Sequence, residues 1–226
     1  MEPARCCVVR EAVRVDDLVQ RHTRLATVPL VPELRLHRTD DVYALWEAAA
    51  EPSPPFWAIP WAGGQALARY VLDHPSVVRD RSVLDVGAGS GLVAIAAARA
   101  GAKSAIAADI DPRAIAVIVL NASANRATVH TVLGDPLDGS GGDAEVVLVG
   151  DAFYERALAE RMLAFLRRVV RRRASVLIGD VGRTYLPADQ LTPLASYDVP
   201  VHADLEDSAV KRTTVFALRH DATVTP

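Results

Sequence analysis

Only two cysteines occur among the 226 residues, Cys6 and Cys7, and they are neighbours. Adjacent thiols cannot staple distant segments, so no disulfide framework is expected and free thiols in a reducing compartment are the simpler reading. Lysine is nearly absent: Lys103 and Lys211 are the only two among 25 basic side chains. That bias fits a GC-rich coding sequence and carries no mechanism. An excess of positive charge is also missing. The formal net charge is -3, whereas a domain whose main partner is a nucleic acid usually carries a marked basic surplus. No apolar run approaches the roughly 18 residues that a membrane-spanning helix requires. The opening segment, MEPARCCVVREAVRVDD, lacks a long apolar stretch and contains Glu2, Glu11, Asp16 and Asp17. It argues against a secretory leader or a transit peptide, and a cytoplasmic location is expected. The six histidines show no metal-ligand spacing with one another or with cysteine. Neither nucleic acid, membrane nor metal is therefore expected as a partner.

What is present is an ordinary globular composition, 50% apolar and 23% charged, in a chain long enough to bury a sizeable core. From Arg81 onward, strand-like and helix-like runs alternate. SVLDVG, SAIAADI, TVHTVLGD, AEVVLVGD and ASVLIGD are short runs rich in apolar residues. LVAIAAARAG, PRAIAVIVLNASANRA and ERALAERMLAFLRRVV carry helical patterns. Near-continuous apolar strands with helices between them indicate a parallel sheet covered on both faces. LASYDVPV and RTTVFALRH complete seven strands with an antiparallel finish. The expected fold is thus α/β and Rossmann-like, parallel with an antiparallel last strand. Residues 1–54 read as an N-terminal extension with helices around Val15–Arg24 and Asp40–Ala50. Residues 55–226 read as the main domain, and EPSPP at Glu51–Pro55 as a rigid joint.

Between the first of these strands and its helix lies VLDVGAGSGLVAIA. Gly87, Gly89 and Gly91 let backbone approach a ligand without a Cβ intervening, and the helix that follows points free N–H groups at the same place. A dinucleotide fingerprint would need glycine where Leu92 stands, and a phosphate-binding loop would need G-K-[ST]. Asp85, two residues before the first glycine, would repel a pyrophosphate but suits the ammonium of an amino-acid moiety. Asp109 ends the next strand, where acids take ribose hydroxyls in related sheets. Asp135 ends the third and could accept from the exocyclic amine of a base. An amine, a ribose and an adenine without phosphate describe S-adenosylmethionine. The competing expectation is that all three acids are helix caps or turn residues. Asp111, directly before Pro112, reads as an N-cap.

Several stretches together are more specific than the glycine loop: PPFWAIPWAGGQALARYVLD, VLDVGAGSG, DIDPRAIAVIVLN, GDAFYERALA, VLIGDVGR and TTVFAL. Through them the chain resembles, from about Pro29 to Leu218, the methyltransferase family 16 group of seven-strand (class I) enzymes. The nearest resemblance within that group is to the electron transfer flavoprotein β-subunit lysine methyltransferases. Ala62, Val181 and Ser90 depart from the group's usual pattern; proline is usual at the first position and frequent at the second. The resemblance implies that Trp61, Gly63 and Gly64 pack over the cofactor. It further implies that Gly87 and Gly89 line the cofactor, and that Asp109, with Ile110 beside it, holds it. Asp151, Phe153 and Tyr154 match a D-x-F-Y signature beside the transferred methyl, with Asp151 orienting an entering amine. On residue chemistry alone, Phe153 and Tyr154 read equally well as core packing under the next helix.

GDAFY lacks the prolines and amide of an N-P-P-[YF] strand end, which counts against methylation of bases or glutamine amides. The basic run FLRRVVRRRA, Phe165 to Ala174, reads as a solvated helix end, with a docking patch for an acidic protein as the other expectation. The function expected is S-adenosylmethionine-dependent lysine N-methylation of a protein, the electron transfer flavoprotein β-subunit being the favoured partner. The alternatives are a small-molecule N-methyltransferase acting on a nicotinamide-like pyridine, and a binding module that has lost transfer.

Overall fold

A computed structural model describes residues 15–50, 53–201 and 208–219. Residues 1–14 with the two cysteines, residues 51–52 of the expected rigid joint, residues 202–207 and residues 220–226 lie outside the described residues. The elements run α1 (Val15–His22), β1 (Arg24–Val28), β2 (Val31–Arg38), α2 (Val42–Ala49), α3 (Ala62–Asp73), β3 (Ser82–Val86), α4 (Leu92–Arg99) and β4 (Ser104–Asp109). They continue α5 (Pro112–Ala124), β5 (His130–Leu133), β6 (Val146–Gly150), α6 (Arg156–Arg171), β7 (Ser175–Asp180), β8 (Leu191–Pro200) and β9 (Val210–Leu218).

Seven strands form one sheet in the order β5-β4-β3-β6-β7-β9-β8. The five from β3 to β7 pair in parallel, and β9 runs antiparallel to both β7 and β8. The alternation of a strand's side chains sorts its apolar residues between two helical layers. Val146, Leu148 and Leu177 pack with α3 and α4 through Leu67, Val71 and Val93. Val147, Val149, Val176 and Ile178 pack on the other face with Met162, Phe165, Leu166 and Val169 of α6. Being buried on both faces is why these strands read as continuous apolar runs. Pro112 opens α5, and Asp111 caps it by accepting from Arg113 N at 2.8 Å.

Both N-terminal helices are where the sequence placed them, but a hairpin joins them. β1 and β2 pair antiparallel, and Val28, Val31, Leu34 and Leu36 bury against Leu92, Ile95, Ala96 and Ala122 of α4 and α5. Asn121 of α5 and Asn125, the residue that caps its end, also grip β2. Asn125 accepts from Arg35 N and donates to Arg35 O, while Asn121 accepts from His37 N. The match is geometric: helix positions i and i+4 are about 6 Å apart along the axis, and strand positions i and i+2 are about 6.7 Å apart. Asn121 then donates its amide N–H to Ser90 O in the glycine loop, at 2.9 Å.

Two arginines of the basic run, Arg168 and Arg172, and Arg161 earlier in α6 bind the connection that precedes β6. Arg168 donates to the carbonyls of Gly139 and Leu137, Arg172 to those of Ser140, Gly141 and Ala144, and Arg161 pairs with Asp135 and Asp138. These bonds tie down the connection from β5 to β6. Among the described residues, no helix is long and apolar enough to cross a membrane and no cluster could hold a metal ion.

The first turn of α3 sits on the carboxyl ends of β6 and β7 closely enough to exclude side chains. A Cβ on Gly179 would lie 2.1 Å from Gly63 O, and one on Gly150 would lie 3.0 Å from Gly64 N. Both obstacles are backbone and cannot swing aside. Gly179→Ala is therefore expected to destabilise the fold by about 3 kcal/mol through overpacking, read as a loss of roughly 6–12 °C in Tm; a Tm within a degree of wild type would show that the contact is slack.

Candidate active site

The glycine loop leaves β3 and is pinned to the end of β4. Gly87 N and Ala88 N both donate to Ala108 O. Gly89 N donates to Asp109 Oδ2 at 2.8 Å, while Asp109 Oδ1 accepts from Asp111 N at 3.0 Å. Gly87 has φ of +67° and nothing within 4 Å of where a Cβ would point, so its open side faces outward. Gly91 is the N-cap of α4. Burial raises the Asp109 carboxyl above its usual range against the pull of these N–H donors. Ile110, immediately after it, is 71% exposed, an aliphatic side chain held out at the ligand end of the sheet.

Asp85 and Asp135 do not join them. Asp85 was expected to meet an ammonium, but it is 2% exposed and accepts from Ala94 N of α4 at 3.0 Å. It organises the loop from beneath, and burial pushes its carboxyl up to about 7. Asp135 was expected to read a base. Its two oxygens are instead engaged by Leu137 N and by Arg161, as a turn residue with an exposed ion pair. In both cases the structure shows the bonds that the cap-or-turn expectation describes, a backbone N–H lying within reach of the acid.

At the end of β6 the backbone turns through Asp151 at a φ of +54°, a left-handed conformation that a non-glycine residue holds only under constraint. The constraint comes from two bonds. Asp151 N donates to Gly179 O, and Asp151 Oδ2 accepts from Gly64 N at 2.9 Å. The N-cap residue of α3, Trp61, makes no side-chain cap bond; Asp151 supplies the cap from across the fold. Its other oxygen, Oδ1, lies 3.4 Å from Arg183 Nη2. Burial drives the Asp151 carboxyl up to about 6, with Arg183 pulling it down.

That turn also separates the two aromatics. Phe153 was expected beside the transferred methyl but is 0% exposed and packs in the core under α6. Tyr154 is 54% exposed and points the other way. Burial first, then the charge of Glu155, raises the pKa of its hydroxyl, with Arg183 pulling it down. Gly63 and Gly64 were expected over the cofactor; they are the seat of α3 instead, since any Cβ at Gly63 would strike Gly179 O and Asp151 Oδ2.

The covering element is the preceding segment. Phe56, which the sequence reading did not single out, rings with Trp61 at 5.8 Å and with Tyr154 at 6.4 Å between centroids. Trp61 Nε1 donates to Phe56 O, and the Phe56–Trp57 backbone lies 4.0 Å from a Cβ built on Gly89. Phe56, Trp61 and Tyr154 thus form an aromatic rim that adjoins both the glycine loop and the Asp151 corner. The signal was available: Phe56 stands in the same PPFWAIPW stretch as Trp61. Arg183 was missed because nothing local links it to Asp151, 32 residues away.

Comparison with known proteins gives a consistent picture. The family model for ribosomal protein L11 methyltransferase (PrmA) matches residues 65–150. The electron transfer flavoprotein β-subunit lysine methyltransferase of Xenopus laevis is 36% identical over 208 residues, 88% of this chain and 85% of that protein. The Homo sapiens protein of the same name is 37% identical over 199 residues, 84% of this chain and 76% of the relative. Among solved structures, magnesium protoporphyrin IX methyltransferase from Synechocystis PCC 6803 with bound S-adenosylmethionine superposes with a TM-score of 0.51. The identity is 13%, over 69% of this chain and 78% of that one, so the likeness is one of fold.

The buried acid beneath the loop yields a pH test. Asp85 titrates near 7 when folded, against about 4 when unfolded. Between those values the folded state holds the extra proton, so this group's contribution falls as pH rises through the window and is constant above it. Asp85→Asn keeps an oxygen for Ala94 N and does not titrate. Relative to wild type, the variant is expected to gain on the order of 3 kcal/mol between pH 4.5 and pH 8 in denaturant unfolding. Parallel stability profiles for the two proteins would contradict the assignment.

Proposed function

This chain belongs to the electron transfer flavoprotein β-subunit lysine methyltransferase family, and on that premise we propose that it methylates lysine side chains of a protein, the electron transfer flavoprotein β-subunit being the favoured acceptor. It is an S-adenosylmethionine-dependent methyltransferase. The residues at the strand ends fit that cofactor. Backbone N–H groups of Gly89, Asp111 and Ile110 act on the Asp109 carboxylate, and a carboxylate has about four acceptor positions, so roughly one remains for a ribose hydroxyl. Ile110 offers an exposed apolar face beside it, and the open side of Gly87 lets backbone come close.

When bound, S-adenosylmethionine supplies a methyl group carried on a sulfonium. The chain's own residues then have two tasks, alignment and control of the acceptor's proton. A lysine ammonium, with a reference pKa of about 10.4, has no lone pair to react. Walls formed by Tyr154, Phe56 and Trp61 withdraw the amine from water, which favours its neutral form. The same ring faces attract the cationic states of the amine before and after transfer. Asp151 Oδ1 is the acceptor atom available to an N–H of the amine. Because Oδ2 is fixed on α3, Oδ1 is held in place and directs the lone pair. The observation that carries this reading is Asp151 itself: a left-handed acid, anchored by one oxygen, at the strand-end corner shared with Asp109 and the aromatic rim.

Tritiated S-adenosylmethionine added with the enzyme to a desalted lysate, supplemented with purified electron transfer flavoprotein β-subunit, is expected to label one protein band on lysine. Label confined to the small-molecule fraction would overturn the acceptor assignment. The two acids should separate in the same assay. Asp109→Ala is expected to weaken S-adenosylmethionine binding by roughly a hundredfold or more in calorimetry, through loss of the ribose acceptor. Asp151→Asn preserves an oxygen for Gly64 N, so it is expected to bind the cofactor normally and lose roughly a hundredfold in turnover.

A further inference from the structure

Two charged residues behind Asp151 have no role in the mechanism so far. β7 ends at Asp180, which is fully buried. Its Oδ1 accepts from both Gly182 N and Arg183 N at 2.7 Å, and Gly182 follows at a φ of +88°. An acid that takes two successive N–H groups folds the chain into a tight turn. The turn throws Arg183 back toward β6, where its Nη2 reaches Oδ1 of Asp151, the oxygen that α3 does not use.

As a device for stability alone the pair would be a poor one. The Arg183–Asp151 separation of 3.4 Å exceeds that of a well-formed charge-assisted bond, which is about 2.8 Å. Oδ2 of Asp180 and Nε of Arg183 are buried without a hydrogen-bond partner, and orphaned buried polar atoms cost stability. What the turn does achieve is to hold a cation that cannot deprotonate beside the acid that faces the acceptor. The groups facing Asp151 are Arg183 from the turn after β7, Asp180 from β7 and the N–H groups of Gly63 and Gly64 from α3.

We propose that Arg183 is a positioning residue for methyl acceptance and that Asp180 is its anchor: the Asp180 turn lays the guanidinium against Oδ1 of Asp151, keeping that carboxylate aimed and ionised for an entering amine. The same cation disfavours a second positive charge nearby, so it selects the neutral form of the amine over the ammonium. The acceptor side of this inference rests on the lysine reading above; the electrostatic link among the three residues does not.

The test is the titration of the Asp151 carboxyl by ¹³C NMR, assigned by difference from Asp151→Asn, together with steady-state kinetics on the electron transfer flavoprotein β-subunit. Arg183→Met is expected to raise the Asp151 midpoint by about one pH unit, since a nearby cation lowers a carboxyl pKa. The acid limb of kcat should move upward with it. KM for the protein acceptor should rise roughly tenfold, while the Kd for S-adenosylmethionine stays within about threefold and serves as the control for folding. Asp180→Asn and Asp180→Ala both remove the charge, but asparagine keeps an oxygen for Gly182 N and Arg183 N. The alanine variant should therefore show a higher Asp151 midpoint than the asparagine variant and reproduce the kinetic defect, with asparagine close to wild type. An unmoved Asp151 midpoint in Arg183→Met, or alanine and asparagine variants that behave alike, overturns the proposal. If wild type labels no lysine at all, the lysine reading fails instead, and the NMR comparison decides the inference by itself.

Discussion

A carboxylate at the end of one strand caps a helix through an N–H 87 residues earlier in the chain, and much of the site is arranged around that bond between Asp151 and Gly64 N. It is available only because α3 lies directly on the strand ends, where glycines at 63, 150 and 179 leave backbone against backbone. With one oxygen fixed there, Asp151 cannot rotate, and its left-handed backbone sends Phe153 inward and Tyr154 outward. The segment leading into α3 carries Phe56 and Trp61 over the glycine loop. One helix cap thus places both the acceptor-side acid and the roof of the cofactor side.

Four acids, Asp85, Asp109, Asp151 and Asp180, stand at the ends of adjacent parallel strands, and burial raises the carboxyl of each. Each is supported by backbone N–H groups, and among the interactions resolved at them the one side-chain cation is Arg183. The sheet end therefore gathers four carboxyls whose negative charge grows as pH rises, weakly screened because they are buried. That charge suits a cationic methyl donor and a basic acceptor, and it is unwelcoming to phosphates. It also makes the protonation state of these strand ends sensitive to pH in the range where most carboxylates have finished titrating.

Much of this was legible in the residues. Runs such as VVLVG are apolar at every position because both faces of a central parallel strand are covered, so sheet and helix order followed directly. Asp111–Pro112 announced a helix start and delivered one. The hairpin of β1 and β2 was hidden by Pro29 and Pro32, which break the alternation that marks a strand; the register shift between Thr27 and Val28 lies where they fall. Asp85 and Asp135 were ambiguous for a different reason. An acid after a strand serves equally well as a ligand group or as a cap, and the sequence does not show that Asp85 lies buried beneath the loop or that Asp135 is turned to Arg161. The opposite fates of Phe153 and Tyr154 turn on one backbone angle at a non-glycine residue, which no local pattern encodes.

The amide of Asn121 has a wider reach than its size suggests, since it holds β2 with one atom and the glycine loop with the other. Asn121 and Ser90 are buried and His37 is half-buried, so water competes poorly for either bond. Fraying of the amino-terminal strands and loosening of the Ser90 backbone should then belong to a single cooperative unit, opening with one free energy. A segment remote from the chemistry in sequence would in that way set how long the loop keeps its shape between turnovers.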